Sequence, residues 1–333
     1  MKIAVCISNN KIKIKHAILD KFTNKIFKDN YNWGRKFADY LDKYNIDYDF
    51  INIDKNDWLE EIEKYDIVLW KPAFMGPQSS QHFRSKVYFI QHIMKKRIYP
   101  NYESVWHFDN KISQSYFFKY KKINAPKTFA TFDYNEAMAK LEDFNYPLIF
   151  KESNGAGSSG VKLVKSYKQL VKIVNNKFIY HNIISRILKS NLFDRFGEIY
   201  LQEFLENNKA DLRINIIGNK YATGFWRKNR SNDFRASGSG NIDYETEIPE
   251  NIIRYCWQIS RDNNFDSMAY DVLFRDNQFF IIEMSYGYAD SAVYNSAGYY
   301  ELDGEGNIIE FNKGRYWPQE LWVKWLIQNE TII

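Results

Sequence analysis

The run Tyr146-Pro-Leu-Ile-Phe-Lys-Glu-Ser-Asn-Gly-Ala-Gly-Ser-Ser-Gly-Val161 decides how the rest of the chain is read. A short apolar run ends in Lys151, a loop of small residues carries Gly155, Gly157 and Gly160, and a second apolar run, Val161-Lys-Leu-Val164, follows. The expected local structure is strand, turn, strand. Backbone N–H groups of such a loop can reach phosphate oxygens, and the lysine ammonium neutralises their charge. The order Gly-x-x-x-x-Gly-Lys-Ser/Thr is absent and a strand, not a helix, follows, so this is not a P-loop. Read alone, the same residues also suit an ordinary structural turn. The flanking sequence has to decide.

Upstream, residues 2–7, 48–53 and 66–70 read as strands, with helical spacing from Trp33 to Tyr44 and a short helix opened by Asp57 between them. Strand–helix–strand–helix–strand implies a parallel sheet with useful residues at the strands' C-terminal ends. Lys71 to Arg84 falls at such an end. There Lys71, Gln78, Ser79, Ser80 and Arg84 suit an anionic substrate, and equally an ordinary loop into the helix expected over Val87 to Met94. A short strand at Ile98 to Asn101, a helix from Ser113 to Lys121, a strand broken by Pro126 and a helix from Asn135 to Leu141 lead into the opening stretch.

Downstream, a helix is expected over Tyr167 to Asn175, and the apolar and basic run at 176–197 reads as helical. Ile199 to Leu205 is a strand ending in the turn Glu206-Asn-Asn208. Asp211 to Ile217 alternates strictly, and Gly218-Asn219 turns it into Lys220 to Trp226. A glycine-rich loop, Asn232 to Gly240, and an amphipathic helix, Pro249 to Asn263, come next.

Ala269 to Phe274 and Phe279 to Ser285 form a further hairpin. A three-residue loop, Asp276 to Gln278, places Asp271 opposite Glu283, with Ser285 on the same face two residues on. The strands are otherwise too apolar for a solvated face. Hard oxygen ligands gathered on one side suit magnesium, which keeps waters and also binds substrate phosphates. The alternative is a pair of solvated strand carboxylates. The last 35 residues read as a turn-rich hairpin and a helix carrying Trp322 and Trp325, a lid or a packing brace.

Composition narrows the class. The 333 residues carry 45% hydrophobic and 26% charged side chains, which is globular. The net charge of +5 is mild, with lysines concentrated near the start, as in Lys11-Ile-Lys-Ile-Lys15, and no nucleic-acid-binding signature accompanies it. Cys6 and Cys256 stand alone, so neither a disulfide framework nor a zinc site is expected. No signal peptide and no run of ~18 apolar residues is present, so the expected location is the cytoplasm, without a membrane span.

Assembled, the order is lysine, glycine loop, hinge strand, basic hairpin, arginine-bearing loop and two carboxylates. Over residues 105–290 it resembles the ATP-grasp superfamily, and within it the carboxylate–amine ligases similar to the ribosomal-protein glutamate ligase and glutathione synthetase group. The resemblance rests on Phe150 to Val161, Gln202 to Glu206, Asp211-Leu-Arg213, Phe234 to Gly240 and Ile282-Glu-Met-Ser285. It implies an α/β and α+β architecture: an N-terminal parallel domain over 1–104, a first ATP-grasp lobe over 105–205 and a C-terminal lobe over 206–333.

The resemblance also implies roles. Lys111 and Lys151 would contact the phosphates and the adenine edge, and Gly155, Gly157, Ser158, Ser159 and Gly160 would close over the phosphates. Gln202, Glu203, Phe204 and Leu205 would form the adenine hinge, and Glu206 or Asp211 would take the ribose hydroxyls. Arg213 and Arg227 would face the γ-phosphate and the acyl-phosphate, and Arg235 the acceptor. Asp271 and Glu283 would hold magnesium. The family usually carries asparagine where Ser285 stands, so the implied cofactors are ATP and one or two Mg2+ ions, the second weakened by this change. The implied activity activates a carboxylate as an acyl-phosphate and joins it to an amine. Ser285, the pair Tyr286 and Tyr288 and the C-terminal tail look like stand-alone proteins linked to bacterial cell-surface polysaccharide, with small-molecule or glycan carboxylate and amine substrates. A kinase sharing the ATP site and a nucleotide-binding protein without turnover are the alternatives. The oligomeric state stays open, a homodimer being compatible with the sequence.

Overall fold

The computed structural model describes residues 2–7, 33–71, 77–155, 160–180, 197–231, 233–236 and 238–330. Lys11 to Lys15, most of the run at 176–197, Gly157, Ser158 and Ser159 lie outside these residues, as do the side chains of Gln78 and Ser79.

Three sheets organise the chain. The first is parallel, in the order β2-β1-β3-β4, from β1 (Ile3–Cys6), β2 (Tyr48–Ile51), β3 (Ile67–Leu69) and β4 (Arg97–Tyr99). Both faces of its inner strands, β1 and β3, are buried, as their continuous apolar runs require. Ile3, Val5, Ile67 and Leu69 pack on Phe37 and Leu41 of α1 (residues 33–43), while Ala4, Cys6, Val68 and Trp70 pack on Phe83, Val87 and Ile90. Two expectations change here. The helix placed at Val87 starts earlier, as α2 (Pro77–Tyr88), and runs on through a wider turn at Phe89–Ile93. Asp57 precedes the short helix Trp58–Ile62, but its side chain forms no capping hydrogen bond.

The second sheet is antiparallel, in the order β5-β8-β6-β7, from β5 (Thr128–Thr131), β6 (Leu148–Lys151), β7 (Val161–Val164) and β8 (Ile199–Glu203). The opening stretch is therefore a hairpin, as read, with Lys151 the last residue of β6 and paired with Val161.

The third sheet runs β13-β12-β9-β10-β14-β15, with a short β11 (Ile242–Asp243) on β10. Its strands are β9 (Ala210–Ile217), β10 (Tyr221–Lys228), β12 (Ser267–Arg275), β13 (Gln278–Ser285), β14 (Gly298–Leu302) and β15 (Ile308–Lys313). Strict alternation on β9 sends Leu212, Ile214 and Ile216 to one face, where they pack with Ile252, Ile253, Cys256 and Trp257 of the helix Glu250–Asp262. Asp211 and Arg213 are left for the other face, and that face builds the site.

The C-terminal helix, Pro318–Asn329, is a brace. Its Leu321, Trp322, Val323 and Leu326 are buried in the same core as Phe37 and Leu69 of the parallel sheet. Each such burial contributes on the order of 2 kcal/mol. Among the described residues no helix is long and apolar enough to cross a membrane.

Candidate active site

One cleft of about 1060 Å3, counting its open mouth, lies between the second and third sheets. It is lined by Lys111, Lys151, Gly155, Gly160, Gln202, Glu203, Phe204, Leu205, Asp211, Arg235, Asp271 and Glu283. Residues predicted from points scattered over more than half the sequence thus share one cavity. Arg213 and Arg227 stand one step behind its wall, paired to Asp271 and Asp211. Glu206 is exposed on the turn, outside the lining.

Near Lys151, Asn110 caps the helix Lys111–Tyr120 by accepting from the Ser113 N–H at 2.9 Å. That fixes Lys111 in the first turn, where its backbone N–H donates to the Ser153 carbonyl at 2.8 Å and its ammonium to the Gly155 carbonyl at 2.7 Å. Asp109 accepts from the Gly155 N–H at 2.6 Å. Gly155 has φ of 110°, which a side chain would strain. Lys151 is 8% exposed. Its pKa is lowered to about 8, chiefly by burial and further by Lys111, against the opposing pull of Glu283 and Asp271.

The apolar part of the wall is made by Ile149, Val161, Phe204, Leu205 and Leu273. Phe204 meets Phe234 edge to face, ring centroids 5.5 Å apart, so the segment after β8 touches the loop that carries Arg235. Arg235 forks Asp233, with Nε at 2.9 Å and Nη2 at 2.6 Å from Oδ2. The Glu203 carboxylate pairs with Arg275. The sequence reading passed over Arg275, and over Asn208, whose side chain bonds both the N–H and the carbonyl of Phe274 at 2.9 Å and ties the turn to β12. Both contacts join residues far apart in sequence, and no local pattern announces them.

Across the sheet face, register assembles five charges. Asp211 lies opposite Arg227, Arg213 opposite Asp271, and Asp271 opposite Glu283. Arg213 donates Nε to Asp271 Oδ1 at 2.5 Å and Nη2 to Oδ2 at 2.9 Å, and Arg227 adds Nη2 to Oδ2 at 2.8 Å. Arg227 also forks Asp211, at 2.7 and 2.6 Å. Burial alone would raise the Asp271 carboxyl, but the two guanidiniums hold it well below the usual carboxylate range. Asp211 is raised, because burial outweighs its pull from Arg227.

The Asp271–Glu283 pairing arises differently from the expected route. The turn has two residues, Asp276 and Asn277, with φ of 48° and 62°, and Arg275 pairs with Gln278. A bulge then skips Ile282 between the pairs Val272–Ile281 and Asp271–Glu283. The short turn and the bulge offset each other. The bulge also lets two consecutive residues, Ile282 and Glu283, line the same cavity, which a regular strand cannot do.

The sequence model of the RimK-like ATP-grasp domain matches residues 108–290. The chain belongs to that family. The chain is similar to the alpha-aminoadipate–LysW ligase LysX of Saccharolobus solfataricus, 26% identical over 145 residues, 43% of this chain and 48% of that one. The chain spans about half the length of the curated relatives it first matches. Among solved structures, D-alanine–D-alanine ligase from Bacillus anthracis complexed with ATP superposes with a TM-score of 0.55 at 15% identity, covering 86% of each chain. ATP-grasp ligase PsnB complexed with minimal precursor, Mg and ADP superposes at 0.56 and 10% identity over 98% of each. These likenesses establish the ATP-grasp architecture, a parallel N-terminal sheet followed by two lobes, for this chain.

Whether the RimK-like site suits a cation is read from its donors. Asp271 and Glu283 are directly opposed carboxylates, and Asp271 stays ionised. Magnesium needs only one or two carboxylates beside water and phosphate oxygens, so this pair fits one ion. Among the described residues no cluster of three or more His, Cys, Asp and Glu could hold a metal. The Ser285 hydroxyl accepts from the Gly287 N–H and donates to the Gly287 carbonyl, both at 3.0 Å, so it is engaged within its own turn. Tyr286 and Tyr288 are buried, Tyr286 against Phe83 and Phe108 and Tyr288 bonded to Ser267 at 2.8 Å. They serve the core rather than an open substrate face.

Proposed function

We propose that the chain is an ATP-dependent carboxylate–amine ligase. The observation that carries this reading is the meeting, in one cleft, of Lys111, Lys151, Arg235 and the carboxylate pair Asp271 and Glu283. ATP lies with its purine among Ile149, Phe204, Leu205 and Leu273 and its phosphates toward Lys111, Lys151, Gly155 and Gly160. Asp271 and Glu283 hold magnesium, which when bound supplies charge neutralisation on the phosphates.

A substrate carboxylate oxygen attacks the γ-phosphorus, the bond to the bridging oxygen breaks, and ADP leaves with that electron pair. An amine nitrogen then bonds to the acyl carbon. The C–O bond to phosphate breaks, and the proton shed by nitrogen goes to the departing phosphate. Little side-chain covalent chemistry is required, so positioning and charge dominate. Arg213 and Arg227 face the transferred group once they leave Asp271 and Asp211, and Arg235 faces the acceptor once it leaves Asp233.

For the substrate, the sequence resemblance supports a sugar-acid carboxylate from cell-surface polysaccharide. A second reading, a peptide carboxylate, is favoured by likeness to ligases solved with precursor peptides, PsnB over 98% of both chains. ADP release across uronic acids, acidic peptides and amines, with hydroxylamine as a trap, tests both. A hydroxamate product supports the ligase. ADP release with a phosphorylated product and no hydroxamate identifies a kinase, and nucleotide binding without ADP release identifies a protein without turnover.

A further inference from the structure

Asp271 carries the metal reading, yet its carboxylate already has partners. Both of its oxygens accept from guanidiniums, Oδ1 from Arg213 and Oδ2 from Arg213 and Arg227. Asp211 completes the set, so two guanidiniums and two carboxylates balance to zero on one sheet face. Asp271 is 5% exposed and Arg227 8%. A bare divalent cation reaching Asp271 therefore meets a carboxylate whose charge is spent and two cations within ~3 Å of its oxygens, at low dielectric where repulsion is strong. Glu283 alone is one carboxylate. A polyphosphate changes this balance, because its oxygens offer the guanidinium forks partners of higher charge.

We propose that Arg213 and Arg227 act as a guard on Asp271, keeping the cation site closed until the phosphates of a nucleotide draw the guanidiniums away. The inference rests on the metal role of Asp271 and Glu283 given above. It makes nucleotide and ion strongly cooperative ligands, each raising the affinity for the other by the same factor. It also assigns the two arginines a task before any chemistry begins, which is to refuse the ion in the absence of its phosphate ligands.

The test uses Mn2+ as the probe. Free Mn2+ is followed by electron paramagnetic resonance as it is titrated into the full chain, with and without ADP. The wild type, Arg213→Met, Glu283→Gln and the double variant are compared, with Arg213→Gln replacing Arg213→Met if the latter does not fold. Without ADP, Arg213→Met should bind Mn2+ about tenfold or more tightly than the wild type, within the ~5–150-fold range common for coupled sites. The double variant should lose that gain. A gain of binding cannot come from misfolding. Equal affinity of wild type and Arg213→Met without ADP overturns the guard. If, in addition, Glu283→Gln binds Mn2+ in the presence of ADP as the wild type does, the metal site itself is refuted, and the guard with it.

Discussion

Lys111 gives its ammonium to the carbonyl of Gly155, 2.7 Å away, while Asp109, two residues earlier, takes the N–H of the same glycine. One three-residue segment therefore holds both polar groups of the residue at which the glycine loop begins. Its geometry decides where the backbone and the Lys111 charge stand before nucleotide arrives.

Asp109→Ala should weaken nucleotide binding, because one hydrogen bond worth about 0.5–1.5 kcal/mol is lost, a factor of ~2–12. Asp109→Asn keeps an acceptor oxygen for the Gly155 N–H and should bind nearly as the wild type does. Titration with a fluorescent ATP analogue compares them. Equal weakening in both variants would show that the negative charge matters rather than the hydrogen bond.

Asp271→Asn should reduce hydroxylamine-trapped turnover by ~100-fold or more, since charge neutralisation at the phosphates carries most of this chemistry. It should also lower the melting temperature. Buried Arg227 and partly buried Arg213 lose their common counter-charge, and breaking buried pairs costs on the order of 3–5 kcal/mol. Wild-type ADP release from this variant would remove Asp271 from the metal assignment.

Glu283→Gln and Ser285→Ala should part company. The first removes a cavity carboxylate, and ADP release should collapse. The second removes a hydroxyl bonded to Gly287, costing ~1 kcal/mol or less and changing ADP release by about twofold at most. A large loss in Ser285→Ala would return that hydroxyl to the metal.

His107 sets an acid limit on stability. It is fully buried, and neither ring nitrogen has a hydrogen-bond partner among the described residues. Its ring stacks on Phe117, centroids 5.9 Å apart. Burial drives its pKa from 6.5 to about 3. Above 6.5 the ring is neutral in both states. As pH falls from there toward 3, only the unfolded chain takes the proton, so this contribution to stability declines across that window. His107→Phe should flatten the decline and leave stability at pH 7.5 unchanged or higher. Urea midpoints at pH 7.5 and pH 5 measure both effects.

Much of the site was legible because its parts are local. Lys151 at a strand end, the glycines after it and the acidic pair on one hairpin are patterns of a few residues. What sequence could not supply was partnership across the sheet. Arg213 meets Asp271 only because β12 lies against β9 as well as β13, and Arg275 reaches Glu203 across 72 positions. The helix beginning at Pro77 was read as a loop because its first turns, Pro-Gln-Ser-Ser, are polar and carry no apolar period. The burial of Tyr286 and Tyr288 after Ser285 likewise depends on packing that no local pattern announces.

The bulge at Ile282 separates the turn of its hairpin from the carboxylates. A hairpin with one more residue in the turn and none at the bulge would present the same acidic pair. Insertions and deletions at this turn can thus be absorbed a few residues away, and an alignment that places its gap at either point describes the same site. For anyone redesigning the hairpin, the tip is open to change in length, provided the count between it and Glu283 is restored.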